Sequence, residues 1–391
     1  MENFKYLIIG GGMTAAAAMR GIRELDQQGS IGVVGLESDP PYKRPPLSKG
    51  LWKGKPLDSI WLKTEDLQAE LRLGRKIVSL DPGSLTVQDE QGTSYKGEKI
   101  LLATGGTPRR LPFGGDQIIY YRTLADYKRL AELSQGNMTF AVIGGGFIGS
   151  EITAALAMNG RQVTMLFPED GIGAAIYPHD LALFLNDYFV KKGVSVWPGE
   201  VLSGAKASQG KVALQTKNGR ELIVDAVIAG IGIQPNVEPA KSAGLQVGNG
   251  ILVDRTLAAS YPGIFAAGDA AEFFNPALNK RMRVEHEDNA NTMGRQAGRN
   301  MAGASELYDH LSYFYSDIFE LGYEAVGELD PRQETFVDWK EPFNKGVVYY
   351  MAGGKVRGVL LWNVWDTVPA ARALIAETGP FTAADLKNRL G

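Results

Sequence analysis

Two segments, FKYLIIGGGMTA from Phe4 and TFAVIGGGFIGS from Thr139, each run from a short apolar stretch into three consecutive glycines and then into small and apolar residues. This repeated unit constrains the fold more than any other feature of the chain. Gly10-Gly11-Gly12-Met13-Thr14-Ala15 reads G-x-G-x-x-A, and Gly144-Gly145-Gly146-Phe147-Ile148-Gly149 reads G-x-G-x-x-G. In that pattern the first glycine (Gly10, Gly144) makes a tight turn, and the second (Gly12, Gly146) lets backbone N–H groups approach a pyrophosphate at a helix N-terminus. The last small residue (Ala15, Gly149) lets the helix pack closely on its strand. The flanks supply the required context: strand Phe4 to Ile9, helix Thr14 to Leu25 and strand Ile31 to Leu36, then a strand from Phe140, helix Ser150 to Asn159 and strand Gln162 to Phe167. About 20 residues beyond each motif stands an acid, Glu37 and Glu169, placed to accept hydrogen bonds from ribose hydroxyls. One such motif can be an incidental turn. Two of them, each inside a βαβ unit and each followed by an acid, predict two bound dinucleotides.

Composition matters here mainly for what it excludes. The 391 residues carry a formal net charge of −3 and no Lys/Arg-rich block, so the electrostatic footprint of a nucleic-acid partner is missing. No apolar run reaches the roughly 18 to 20 residues of a membrane span. With no cysteine in the chain, disulfides, thiolate metal sites, iron–sulfur ligation and a cysteine redox relay are all ruled out. His179, His286 and His310 show no metal-ligand spacing, so no metal site is expected. Met1 leads directly into a strand, which gives the expectation of a cytoplasmic protein.

After each βαβ unit come short alternating strands with turn signals, LTVQDEQGTSYKGEKILLATGG and VALQTKNGRELIVDAVIAGIG, the second turning at Asn218-Gly219. From about Tyr308 the pattern becomes mixed strands followed by two helices. The expected fold class is α/β, with two Rossmann-like dinucleotide-binding domains and a C-terminal α+β domain. Expected boundaries are 1–111 with 245–307 for the first domain, 112–244 for the second and 308–391 for the third.

Ala103-Thr104-Gly105-Gly106, the stretch GIGIQPN that contains Gly232 and ends at Asn236, and YPGIFAAGDAAE around Asp269 resemble recurrent segments of the FAD-dependent pyridine nucleotide oxidoreductases. The likeness covers nearly the whole chain. It implies that Ala103, Thr104 and Gly105 close the FAD domain and that Asp269 binds the ribityl and pyrophosphate region of FAD; from the residues alone, Asp269 reads equally as a helix N-cap. Lacking cysteine, the chain resembles the branch containing ferredoxin, rubredoxin and putidaredoxin reductases, monodehydroascorbate reductase and apoptosis-inducing factor, whose flavin-side segment is similar to PPYKRPPLSKGLW at 40–52. Likeness to apoptosis-inducing factor is carried by LFPEDG from Leu166, RVEHEDNA from Arg283, YDHLSYFYSD from Tyr308, LGYEAVGELD from Leu321 and GVLLWNVWDTVPAAR from Gly358. The short segment Asp330 to Gly346 departs from that protein's long regulatory insertion, so its death-signalling role is not carried over.

The resemblance further implies that Arg44 and Lys49 lie by FAD, with Lys49 near flavin N5 and paired with Glu151. Glu285 and His286 would face the nicotinamide and the flavin pyrimidine edge, and Trp362 would stand beside the isoalloxazine. Without it, these residues read as a surface lysine, a first-turn glutamate, a polar cluster at a helix start and a core tryptophan. The function expected is an FAD-dependent NADH oxidoreductase that passes electrons to a small iron–sulfur protein, a quinone, ascorbyl radical or oxygen, as a monomer or an NADH-dependent homodimer. The alternative is a redox-responsive interaction module with slow turnover. NADH is expected over NADPH, because Glu169 follows the strand end and no Lys or Arg lies between Met165 and Tyr177.

Overall fold

A computed structural model describes residues 1–391. The chain forms two compact units: Met1–Lys43 with Asp58–Thr107 and Gln234–Tyr313, and Arg44–Leu57 with Pro108–Ile233 and Phe314–Gly391.

In the first unit, strand Glu2–Ile9 lies between Ile31–Gly35 and Ser94–Leu102, parallel to both, with Ala69–Leu73 added parallel outside Ile31–Gly35 and Ile264–Ala266 parallel to Ser94–Leu102. Leu7, Ile8, Val33, Ile100 and Leu101 have no more than traces of exposed surface, as expected for parallel strands covered on both faces. Helix Met13–Leu25 lies against helix Glu287–Met301, and alanines at 15 to 18 bring the two backbones close. A Cβ added to Gly298 would stand 2.1 Å from the carbonyl oxygen of Ala18, so glycine is required at that crossing.

The second unit repeats the parallel arrangement, in the order Ser195–Pro198, Gln162–Phe167, Thr139–Ile143, Ala226–Ala229, Ile118–Tyr120. It adds the antiparallel meander Leu202–Ser208, Lys211–Thr216, Glu221–Val224, and a five-stranded sheet whose strands fall between residues 313 and 362. That sheet runs Tyr313–Ile318, Leu321–Gly327, Lys355–Trp362, Lys345–Ala352, Glu334–Glu341. The fold is α/β with two Rossmann-type sheets and a C-terminal antiparallel sheet.

The contacts divide the chain differently from the expected three parts. Phe167, Leu185 and Phe189 of the second Rossmann-type sheet and its helix share one hydrophobic cluster with Tyr323, Leu360 and Trp362 of the C-terminal sheet, so those two layers form a single body. The excursion Arg44–Leu57, placed by sequence in the first domain, belongs with the second unit. The contact boundaries fall at Thr107 and Gln234 instead of 111 and 245.

Candidate functional site

The two glycine turns have matching geometry. Gly10 has φ +117° and Gly144 φ +109°, and a Cβ would meet the carbonyl oxygen of Ala103 at 2.1 Å and that of Gly230 at 2.5 Å. Each turn is therefore pressed against the end of a neighbouring strand, and no side chain can replace either glycine. Helices Met13–Leu25 and Phe147–Met158 begin at Gly12 and Gly146, with no side-chain cap and no acid in the first turn. The N-terminal N–H groups and the positive end of each helix dipole are thus left for an external anion. A Cβ at Gly146 would meet nothing within 4 Å, so there is room above this turn for a phosphate. The donors and the space fit a dinucleotide.

In the first unit the resemblance segments lock together. The Thr104 hydroxyl donates to the Asn236 carbonyl at 2.6 Å, the Asn236 side-chain amide donates back to Thr104 O at 2.9 Å, and the Asn236 N–H donates to Gly105 O at 2.9 Å. Asn236 thus closes the Ala103–Gly105 loop, a role the sequence reading did not give it. Gly232, which belongs to the second unit, has φ +87°, and its carbonyl accepts from the Arg109 N–H of that same unit. Asp269 lies in a single turn of 3₁₀ helix, Gly268–Ala270, not at an α-helix N-cap. Glu37, just past strand Ile31–Gly35, accepts a 2.5 Å hydrogen bond from the Tyr42 hydroxyl. Glu285 pairs with Arg283 at 2.6 Å, and His286 holds the N-cap position of helix Glu287–Met301 without capping it through its side chain.

In the second unit the structure brings Lys49 and Glu151 together. Lys49 Nζ lies 2.7 Å from Glu151 Oε1, with side-chain exposures of 12% and 3%. Ser316 Oγ donates to the same oxygen at 2.6 Å, and Ser48 Oγ donates to Oε2 at 2.6 Å. The ammonium also stands 5.1 Å from the ring centroid of Tyr315, a cation–π distance. Arg44 of the same excursion donates to the Arg122 carbonyl at 3.1 Å. Lys49 is therefore not a surface lysine, and Glu151, inside the first turns of helix Phe147–Met158, is a buried carboxylate with three donors.

Trp362 requires a correction. It has no exposed surface, stacks on Tyr323 at 5.7 Å, meets Tyr177 edge-on at 5.6 Å, and donates its indole N–H to Phe343 O at 3.0 Å. Its ring is stacked on Tyr323 and its polar tip is bonded within the second unit's core, and with no exposed surface the tryptophan has none to offer an isoalloxazine. Burial pushes the Tyr177 and Tyr323 phenols well above their ordinary range, which keeps this aromatic core neutral. The aromatic residue that does meet Lys49 is Tyr315, from the stretch YDHLSYFYSD, within which the sequence reading did not single it out. Sequence reading also missed a pair beside the acid of the second motif. Gly199 N–H donates to Glu169 O at 2.8 Å, Glu200 N–H to Phe167 O at 2.9 Å, and the buried Glu200 carboxylate holds Arg220 at 3.3 Å with that guanidinium over Trp197. Arg220, linked to the Glu169 turn through Glu200, is thus already engaged by that carboxylate and by Trp197.

Comparison with known proteins agrees with this arrangement. Residues 4–294 match the family model described as pyridine nucleotide-disulphide oxidoreductase, and residues 332–377 match the C-terminal domain of mitochondrion-associated apoptosis-inducing factor. The chain is 32% identical to apoptosis-inducing factor 1 of Dictyostelium discoideum, over 96% of this chain and 79% of that one. It is also 32% identical to the ferredoxin reductase subunit of 5,5'-dehydrodivanillate O-demethylase from Sphingobium sp., over 96% and 94%. The structure is similar to that of putidaredoxin reductase in its covalent complex with putidaredoxin, with TM-score 0.92 and 27% identity over 99% of this chain and 96% of that one. The chain belongs to the pyridine nucleotide-disulphide oxidoreductase family, as a cysteine-free, FAD-dependent NADH oxidoreductase.

Proposed function

We propose that this oxidoreductase passes its electrons to a small ferredoxin-type iron–sulfur protein, with Lys49 as the charge that answers reduction of the flavin. Bound FAD supplies the redox chemistry, accepting a hydride from NADH and releasing electrons to the acceptor. The protein's own work is to bind, orient and compensate charge. The turn Gly144–Gly149 and the helix behind it hold the NADH pyrophosphate, and Glu169 accepts from the adenine ribose hydroxyls. Gly10, Gly12, Ala15, Glu37 and Asp269, with the loop Ala103–Gly105, do the same for FAD. The Lys49 ammonium stabilises the negative charge that hydride transfer delivers, and Glu151 keeps that ammonium in place.

The observation that carries this reading is the buried Lys49–Glu151 pair in a chain without cysteine. Two apolar side chains of similar size would serve stability as well or better than a buried ion pair, so its presence favours a role in chemistry. A ferredoxin-type acceptor is favoured by the ferredoxin reductase subunit and the putidaredoxin complex among the similar proteins. Strands Glu334–Glu341 and Lys345–Ala352 join in a tight hairpin, leaving no long insertion there and little support for the interaction-module alternative. The test is stopped-flow reduction by NADH, then mixing with a [2Fe–2S] ferredoxin, ascorbyl radical, a quinone or oxygen. Fastest reoxidation by ferredoxin supports the proposal; reoxidation by ferredoxin no faster than by oxygen sinks it.

A further inference from the structure

The strand that opens the C-terminal sheet, Tyr313–Ile318, meets the Lys49 segment and its partner Glu151 through three consecutive residues. Tyr315 lies under the Lys49 ammonium, Ser316 donates to Glu151 at 2.6 Å, and Asp317 stands 3.7 Å from Lys53 Nζ. Ser48, from the excursion itself, donates to the second carboxylate oxygen, also at 2.6 Å. Ser316 has no exposed surface and Ser48 only 6%. A hydroxyl at such depth is costly unless it is bonded, and an alanine would fill either place without that cost. What the two hydroxyls add is direction. Ser316 shares Oε1 with Lys49, so it limits where that oxygen can stand, and Ser48 fixes the other oxygen from the opposite segment.

We propose that Ser316 and Ser48 are positioning residues for the hydride-transfer reaction: by holding both oxygens of Glu151 they set the place of the Lys49 ammonium, without touching either nucleotide. The proposal rests on the reading of Lys49 as the charge that answers flavin reduction. It gives the C-terminal sheet a part in the chemistry through a strand residue, in place of the role expected of Trp362. With one hydroxyl removed, the carboxylate turns, the ammonium follows it, and the charge meets the reduced flavin less closely.

The test uses FAD-loaded protein carrying Ser316→Ala, Ser48→Ala and Lys49→Met, singly and combined, with folding checked by near-UV circular dichroism. The expected result is that Ser316→Ala slows flavin reduction by NADH about tenfold, the size of one hydrogen bond to a charged group, with little change in the Kd for NADH. The flavin midpoint potential should fall by about 30 mV, which is tenfold for a two-electron couple. Neither effect should add to that of Lys49→Met. Should Ser316→Ala fail to retain FAD, Ser48→Ala carries the same expectations from the other oxygen. A potential that moves in Lys49→Met but in neither serine variant overturns the inference and leaves the lysine reading standing. Serine effects that persist undiminished in the Lys49→Met background also overturn it. An unmoved potential in Lys49→Met overturns both.

Discussion

Replacing Lys49 by Met removes the ammonium and keeps most of the side chain's volume, which makes it a clean probe of the buried pair. Glu151 would be left 3% exposed, with Ser316 and Ser48 as its remaining donors and no counter-charge. Breaking a buried ion pair from one side costs about 3–5 kcal/mol. The two retained hydroxyls place this case at the lower end, about 3 kcal/mol. For a body of this size that is a fall in Tm of roughly 6–12 °C, at about 2–4 °C per kcal/mol. Adding Glu151→Gln removes the stranded charge, so the double variant should recover about 1–2 kcal/mol relative to the single one. Urea unfolding at saturating FAD measures both terms. Flavin reduction by NADH should slow by roughly 10- to 1000-fold in Lys49→Met, the range for losing one charge that stabilises a transition state. A single variant as stable as the parent to within about 0.5 kcal/mol, reduced at the parent rate, would refute both the burial argument and the catalytic one.

Trp362→Ala should lower stability by about 3–5 kcal/mol through the cavity it leaves and should not move the flavin absorption bands. A shifted flavin spectrum with unchanged stability would return the residue to the cofactor. Glu169→Arg should move kcat/KM toward NADPH, since a carboxylate facing a 2′-phosphate at about 4 Å repels it by roughly 4 kcal/mol before screening, or ~10- to 1000-fold after it. Equal efficiencies in the parent, or no shift in the variant, would remove Glu169 from the site. The Asp225 carboxyl is held down to about 2 by the Thr139 backbone N–H first, then by Lys211 and the Thr139 hydroxyl. Its folded value lies below its unfolded one, so the stabilisation, about 1–2 kcal/mol after solvent screening, is present above about pH 4 and is lost as pH falls toward 2. Asp225→Asn should therefore be less stable than the parent at pH 6 and converge with it in acid; a gap independent of pH would show that the charge plays no part.

The parts of this molecule legible in its sequence are those with local signals. A glycine triplet between a strand and a helix has few alternatives, and the helices follow both triplets, the first from Met13 against the expected Thr14 and the second from Phe147 against the expected Ser150. The Lys49–Glu151 contact joins distant segments and became readable only through family resemblance. Trp362 was ambiguous for a physical reason: an aromatic at a strand end suits a cofactor face and a core equally, and only the rings of Tyr177 and Tyr323, far away in sequence, settle which. Ser316 carries no sequence signal, because a serine in an alternating strand is unremarkable until its hydroxyl is seen on a buried carboxylate. The merging of the C-terminal sheet with the second Rossmann-type layer depends likewise on Phe167, Leu185 and Phe189 meeting residues after 318.

One chain binds FAD and reduces it with NADH. Protein purified and reconstituted with FAD, freed of excess flavin and mixed anaerobically with NADH in a stopped-flow spectrophotometer, tests it most directly. The expected result is yellow, FAD-loaded protein whose oxidised-flavin absorbance disappears on mixing, faster with NADH than with NADPH and much more slowly in Lys49→Met. Folded protein that takes up no FAD, or bound FAD that neither nucleotide reduces, would contradict it.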